Sequence, residues 1–372
     1  MKKIWVDGTE ANVNQRLGSG AVAFELIKNF EKLDKKNDYT VLLPGKPMED
    51  LPRERSGFRY KIIRIKKLKT LVGIPLEHFF SKEKPDVIFS PTHYIPRYIN
   101  TKRVATIFDL SYLHFPQMFK KSDLYKLTRW SEYSIENASH LVTISNFSKK
   151  DLLKNYRIPK DKITVAYPGF DEDFYKPIND KEAIDNIKRK YRSGDNYIIY
   201  IGTIQPRKNL LRLIEAFVKI DNLKLIIVGK TTGEGKEGWI YKDILELPEK
   251  LGISEKIEFT GYVEKDELVY LLNGAKAFIL PSLWEGFGIP VVEAMVCGVP
   301  VIVSNVSSLP EIVGDAGLLV NPKSVDQIEQ AIRTISTDKK LHEKLSKKGI
   351  ERAKRYSWKK MAREVIRVLE KI

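Results

Sequence analysis

The sequence predicts an α/β protein of two doubly wound domains, and three observations carry that prediction. Short β-branched runs alternate with longer segments of helical period, the order expected of parallel strands joined by crossover helices. The alternation runs to about residue 170 and then restarts, and 372 residues exceed what one hydrophobic core usually organises. Between the two series lies YPGFDEDFYKP (167–177), whose two prolines, glycine and clustered acids are linker chemistry. The expected boundaries are therefore 1–170 and 171–355, with the tail considered separately below.

In the first series KKIWVD, YTVLLP, DVIFSP, RVATIFD and HLVTIS read as strands. AVAFELIKNFEKL, between the first two, places Val22, Leu26, Phe30 and Leu33 on one helical stripe. In the second series NYIIYIG, LKLIIVG, KIEFTG, AKAFILP and VPVIVS read as strands, and NLLRLIEAFVKI, ELVYLLNGA and VVEAMVCG as the intervening helices. The tail from about Lys339 is helix-forming, and Trp358, Met361, Val365 and Leu369 share one face that needs a partner surface. No motif repeats at a period of 20 to 50 residues, which argues against a solenoid. Two doubly wound domains on one linker are expected to leave a cleft between the carboxyl ends of their strands, where such sheets place ligands.

Composition narrows the function classes. Hydrophobic residues are 42% and charged residues 30%, a mixture able to fill a core and solvate a surface. No uncharged apolar run approaches the roughly 18 to 20 residues of a membrane span, and Asp7 comes too early for a signal peptide, so the expectation is a cytoplasmic protein. The single cysteine, Cys297, excludes an intrachain disulfide and a thiolate-rich metal centre, and its apolar neighbours suggest burial. Five scattered histidines show no ligand spacing. The net charge of +16 is concentrated in residues 1–170, with 31 Lys and Arg against 18 Asp and Glu. Part of it lies in RERSGFRYKIIRIKKLK (53–69), which reads as a strand with a cationic outer face or as a surface for anionic lipid, nucleic acid or an acidic substrate. Peripheral contact with an anionic inner membrane face is the partner it suggests, and no nucleic acid is expected.

Four segments carry candidate chemistry. PSLWEGFGIPVVEAMVCGVP (281–300) follows a strand directly, and Pro290 suits a first helical turn. Gly286 and Gly288 let the backbone approach a ligand, and the amides ahead of the helix make an anion site. Glu285 precedes the loop, and Glu293 is expected in the first helical turn, where the helix dipole alone would favour an acid. YIGTIQPRKNLLRLIEAF (200–217) sets Arg207 and Lys208 at a strand-to-helix turn after Gly202. Cations are disfavoured there unless an anion is present, and a diphosphate is such an anion. Gly18-Ser19-Gly20 precedes the first helix, and FTGYVEKDEL (259–268) carries Tyr262 and Val263 after a strand.

In this order the segments resemble retaining glycosyltransferases of the GT-B fold, in the large group called family 4, from about Gly18 to Trp358. The resemblance implies a donor-binding domain at 171–355 and an acceptor-side domain at 1–170, completed by a C-terminal helix, 356–372, that crosses back. It implies that Glu293 holds the donor ribose, that Glu285 lies beside the transferred sugar with the amides of Phe287, Gly288 and Ile289, and that Arg207 and Lys208 grip the diphosphate. It places Gly18, Ser19 and Gly20 against the donor phosphates and the backbone near Val263 on the base, and Glu311 in VSSLPEIVGDAGLLVNP as a support. Two departures stand out: Thr203 occupies a place where many relatives have Arg, and Phe108-Asp109 replaces a usual His-Asp pair. His93, in FSPTHYIP, can substitute in part for that histidine or be an ordinary hydrogen-bonded one, and Asp109 has no firm role. Asp171-Glu172-Asp173 mimics a metal motif of another architecture but reads as a solvated turn.

The implied activity is transfer of a hexose from a nucleotide sugar to a glycan or glycolipid acceptor, without metal or other cofactor. SSLPE with GDAGLL looks closest to mannosyl-transferring relatives, which favours GDP-mannose as donor. The alternatives are a nucleotide-sugar epimerase or phosphorylase of the same fold, a two-lobed sugar-binding protein, or a nucleic-acid binder using the basic half, which steep salt dependence would reveal.

Overall fold

The computed structural model describes residues 1–16, 18–65, 68–230 and 238–372. The chain forms two compact units, one of Met1–Gly169 with Ser357–Ile372 and the other of Phe170–Tyr356.

Among the described residues the first unit's sheet has seven strands: β1 (Lys3–Asp7), β2 (Asp38–Leu43), β3 (Phe58–Ile62), β4 (Val87–Ser90), β5 (Lys102–Ile107), β6 (His140–Thr143) and β7 (Ile163–Val165). They lie in the order β3-β2-β1-β4-β5-β6-β7, every pair parallel. Strands buried on both faces must be apolar throughout, which is why β1, β2 and β4 are near-continuous hydrophobic runs. The chain winds outward from β1 to β3 and then returns to β4 on the other side of β1. The loops after β1 and β4 therefore flank a topological switch point, where open α/β sheets bind ligands.

The expected stripe on the helix Ser19–Leu33 buries Val22, Leu26 and Phe30, with Phe30 stacked on Tyr39 at 5.4 Å and set edge-on to Phe89. The helix Trp358–Lys371 packs against this one and buries Trp358, Met361, Val365 and Leu369. Gly169 permits that return: a Cβ there would lie 2.1 Å from the Trp358 amide nitrogen.

The basic stretch contains β3, which is the edge of the sheet, and two of its cations are tied down. Arg59 pairs with Asp38 at 2.9 Å and Lys61 with Glu77 at 3.0 Å. Charged side chains on an edge strand deter pairing with other chains, so a structural role accounts for these two cations. Lys66 and Lys67 of the same stretch lie outside the described residues.

The second unit repeats the plan with β8 (Tyr197–Ile201), β9 (Lys224–Val228), β10 (Ile257–Gly261), β11 (Ala277–Leu280), β12 (Val301–Ser304) and β13 (Gly317–Val320), in the parallel order β10-β9-β8-β11-β12-β13. Its switch point lies between β8 and β11. Cys297 is buried here, after the helix Ile289–Val296. No helix among the described residues is long and apolar enough to cross a membrane.

Leu369 is fully buried, so Leu369→Ala leaves a cavity against the first unit. We expect it to lower unfolding free energy by about 2–5 kcal/mol in urea titration. A loss below about 1 kcal/mol would mean that the helix is not part of that core.

Candidate functional site

The loops that leave the two switch-point strands of the second unit hold the sequence's strongest candidates. After β8 the chain passes Gly202 and makes a tight turn at Pro206–Lys208 before the helix Leu210–Ala216. After β11 it runs through Pro281–Gly288 into the helix Ile289–Val296. The two loops are stitched together, since the Leu283 amide donates to the Arg207 carbonyl at 2.8 Å.

Side chains complete the junction. Lys208 Nζ donates to Glu285 Oε1 at 2.6 Å, and Arg207 Nη1 lies 3.4 Å from Glu285 Oε2 while also donating to the Trp284 carbonyl. The anion that two cations at a helix start require is, in this structure, the Glu285 carboxylate. Burial works to raise the Glu285 pKa, but the charges of Lys208 and Arg207 and the hydrogen bond from Lys208 outweigh it and hold the carboxyl below its ordinary value. Glu285 is thus a buried carboxylate that stays ionised.

Its backbone is fixed as firmly. The Glu285 amide donates to Ser307 Oγ at 3.0 Å, and Ser308 Oγ donates to the Glu285 carbonyl at 2.9 Å. Gly286 and Phe287 are buried, with the Phe287 ring edge-on to Tyr356 at 5.3 Å. Gly288 has φ 95°, a left-handed conformation that favours glycine, and Ile289 begins the helix behind it.

Glu293 differs from expectation. The helix begins at Ile289, so Glu293 is its fifth residue and lies in the second turn, outside the first turn where the dipole favours acids. The groups that act on its carboxyl are Tyr175, Lys265 and Asp171. Burial pushes its pKa up and Asp171 adds to this, against Lys265 and a hydrogen bond with Tyr175, leaving it at about 7. Tyr175 is itself buried, its pKa raised by burial and then by Glu293.

Asp171 is not simply a solvated turn: Asp173 donates its amide to Asp171 Oδ1 at 3.1 Å, as a turn would have it, but Lys265 Nζ donates to Asp171 Oδ2. Val263 is buried and Tyr262 is 42% exposed, so Val263 packs inward while Tyr262 does not cover the core. A Cβ on Gly202 would lie 2.8 Å from Tyr200 Oη, so that phenol would have to shift. Thr203 accepts a hydrogen bond from that phenol at its carbonyl. The Glu311 carbonyl accepts from Arg352 Nη2 at 2.6 Å.

The remaining candidates belong to the first unit. Gly18 has φ 51° and stands just before the helix Ser19–Leu33. Ser19 Oγ donates to Glu10, and a Cβ on Gly20 would meet the Glu10 carbonyl at 3.0 Å. Asp109 Oδ1 accepts from the Ser111 amide at 2.8 Å. His93 has a buried Nδ1 without a hydrogen bond, and its ring lies 5.4 Å from Phe108.

Sequence reasoning missed Asn209, which has φ 62° and sends Nδ2 to the carbonyls of Pro281 at 3.0 Å and Pro322 at 2.6 Å. That clamp holds the two loops and the end of β13 together. It also missed Tyr175 and Lys265 as the neighbours of Glu293.

Two family models match the chain: glycosyltransferase family 4 over residues 18–174, and glycosyl transferases group 1 over residues 181–352. The O-antigen chain mannosyltransferase B of Escherichia coli is 32% identical over 288 residues, 76% of this chain and 74% of that protein. The serotype-specific mannosyltransferase WbdA of Escherichia coli is 32% identical over 229 residues, 60% of this chain but 28% of that protein. Sucrose-phosphate synthase from Thermosynechococcus elongatus has the same fold, with a TM-score of 0.81 at 18% identity over 100% of this chain and 99% of that one.

Two substitutions test the site's electrostatics. Glu285→Ala leaves two cations without their shared carboxylate, and we expect a loss of about 3–5 kcal/mol by chemical denaturation; an unchanged midpoint would contradict the pairing. Glu293 has a folded pKa near 7 against about 4.3 unfolded, so folding takes up a proton and stability falls as pH rises across that window. Glu293→Gln should therefore melt a few degrees above the parent at pH 8 and close to it at pH 5, in the absence of nucleotide. A melting difference that does not vary with pH would mean that Glu293 titrates normally.

Proposed function

The chain belongs to the glycosyltransferases of group 1 and family 4, the GT-B enzymes, and from that premise we propose that it is a retaining, metal-independent mannosyltransferase using GDP-mannose. The observation that carries this reading is the gathering of Arg207, Lys208 and Glu285 where β8 and β11 diverge. A nucleotide sugar carries both a diphosphate and a ring of hydroxyls. Two cations and a helix start answer the first, and a rigid carboxylate answers the second.

In this proposal Phe170–Tyr356 is the donor-binding unit and Met1–Gly169 with Ser357–Ile372 the acceptor unit. Glu293, its pKa raised to about 7, hydrogen-bonds the donor ribose, and Val263 lies beside the base. Glu285 orients the transferred hexose, and the amides of Gly286, Phe287, Gly288 and Ile289 line its loop. Gly202 lets the β8 turn approach the donor closely. The chemistry proceeds by front-side attack: the acceptor hydroxyl bonds to the anomeric carbon on the face the diphosphate leaves, and the leaving oxygen takes its proton. A double displacement would need a carboxylate nucleophile, and Glu285 is instead committed to Lys208 and Arg207. The two cations neutralise the charge that develops on the leaving group, which is the work a metal would otherwise do.

Mannose is the sugar favoured by the names of the Escherichia coli relatives. The acceptor is a glycan or glycolipid. Peripheral contact with an anionic membrane is supported by the cationic stretch 53–69 and by Phe79 and Phe80, 74% and 72% exposed.

A thermal-shift panel of GDP, UDP, ADP and their sugars tests the donor, because a ligand that binds only the folded state raises the melting temperature. GDP and GDP-mannose should give the largest shifts, and a response confined to UDP or ADP would overturn the choice. Lys208→Ala should lower turnover by about 10²–10³, and turnover should survive a chelator. Full activity without the Lys208 amine, or none with chelator present, would contradict the mechanism.

A further inference from the structure

The turn that carries Arg207 and Lys208 has two duties that compete. In this structure both cations are engaged by Glu285, and their pairing is also what joins the loop after β8 to the loop after β11. A diphosphate gripped by the same two side chains competes with Glu285 for them. The cations cannot then hold the loops together and hold the ligand at once, so the junction needs a second fastening made without them.

Asn209 is placed to be that fastening. It follows Lys208 directly, it is buried, and its φ of 62° lies in the left-handed region. Glycine adopts that region without steric cost, so the backbone by itself does not call for asparagine. What asparagine adds is an amide. Its Nδ2 donates to the carbonyl of Pro281, directly after β11, at 3.0 Å, and to that of Pro322, two residues after β13, at 2.6 Å. Arg212, one turn along the helix Leu210–Ala216, donates from Nη1 to Asn209 Oδ1 at 2.9 Å. A guanidinium can only donate, so it fixes which end of the amide is the oxygen and keeps both N–H groups aimed at the two carbonyls. Both N–H groups and the oxygen of Asn209 are thus engaged within the fold, which suits a residue that places other groups rather than one that touches substrate.

We propose that Asn209, oriented by Arg212, is a positioning residue that keeps the Arg207-Lys208 turn in register with the loops after β11 and β13 while the two cations exchange Glu285 for the donor diphosphate. This role rests on the reading of Arg207 and Lys208 as diphosphate ligands. Without the clamp both cations remain in the chain but their placement is lost, which weakens the grip on phosphate and leaves binding of the nucleoside unchanged.

The test is calorimetric titration of the full chain with GDP and with guanosine, comparing the parent with Asn209→Gly, which keeps the left-handed turn and removes the amide. GDP should bind Asn209→Gly about tenfold more weakly than the parent, and guanosine should bind both equally. Arg212→Met leaves the amide in place without its orienting donor. It should show the same pattern with a smaller loss, and it serves as the second variant where Asn209→Gly does not fold. GDP bound equally by the parent and both variants, or GDP and guanosine weakened in equal measure as by general damage to packing, would overturn the positioning role and leave the diphosphate reading standing. A parent that binds GDP no more tightly than guanosine would instead overturn that reading, and the role of Asn209 with it.

Discussion

The candidate donor site depends on one buried constraint: Glu285 must remain ionised between Lys208 and Arg207. A carboxylate removed from water is costly unless charges and hydrogen bonds replace its hydration, and here both cations come from one short turn. The pairing joins the loop after β8 to the loop after β11 and thereby closes the switch point of the second sheet. Asn209, in a left-handed conformation, adds neutral hydrogen bonds to the same junction. Position is therefore fixed by charge and by amide together, which is what a site holding a reacting sugar needs.

The same loop geometry treats its two carboxyls oppositely. Glu285 is held ionised by cations, whereas Glu293, just over one turn into the helix that follows, has its pKa raised to about 7 by burial. One group is an acceptor only, and the other, in its protonated form, can both donate and accept. Residues eight apart in sequence thus acquire different chemistry from the elements packed against them.

Much of the fold was legible because parallel strands buried on both faces must be written as apolar runs, as in YIIYI and AFIL. The three-residue β7 and the four-residue β13, both of mixed burial, carried no such signal. Arg207, Lys208 and Glu285 were legible as candidates because each breaks a local rule, two cations at a helix start and an acid beside a glycine turn. Their mutual contact was not, since 77 residues separate Lys208 from Glu285. The turn that Glu293 occupies was misread because Gly288, with φ 95°, lets the helix begin at Ile289 and so carries the acid just past the first turn. Asn209 offered only the tolerance of asparagine for the left-handed region, a hint too general to select it. Tyr175 and Lys265 became neighbours of Glu293 only when the segment after Phe170 packed onto the second unit.

Calorimetric titration with GDP and with guanosine, on the parent and on Lys208→Ala, tests the central claim most directly. If the cations beside Glu285 grip the diphosphate, GDP binds the parent about 10- to 100-fold more tightly than guanosine does, and most of that advantage disappears without Lys208. Equal affinities for GDP and guanosine, or an advantage that survives in Lys208→Ala, would contradict the account.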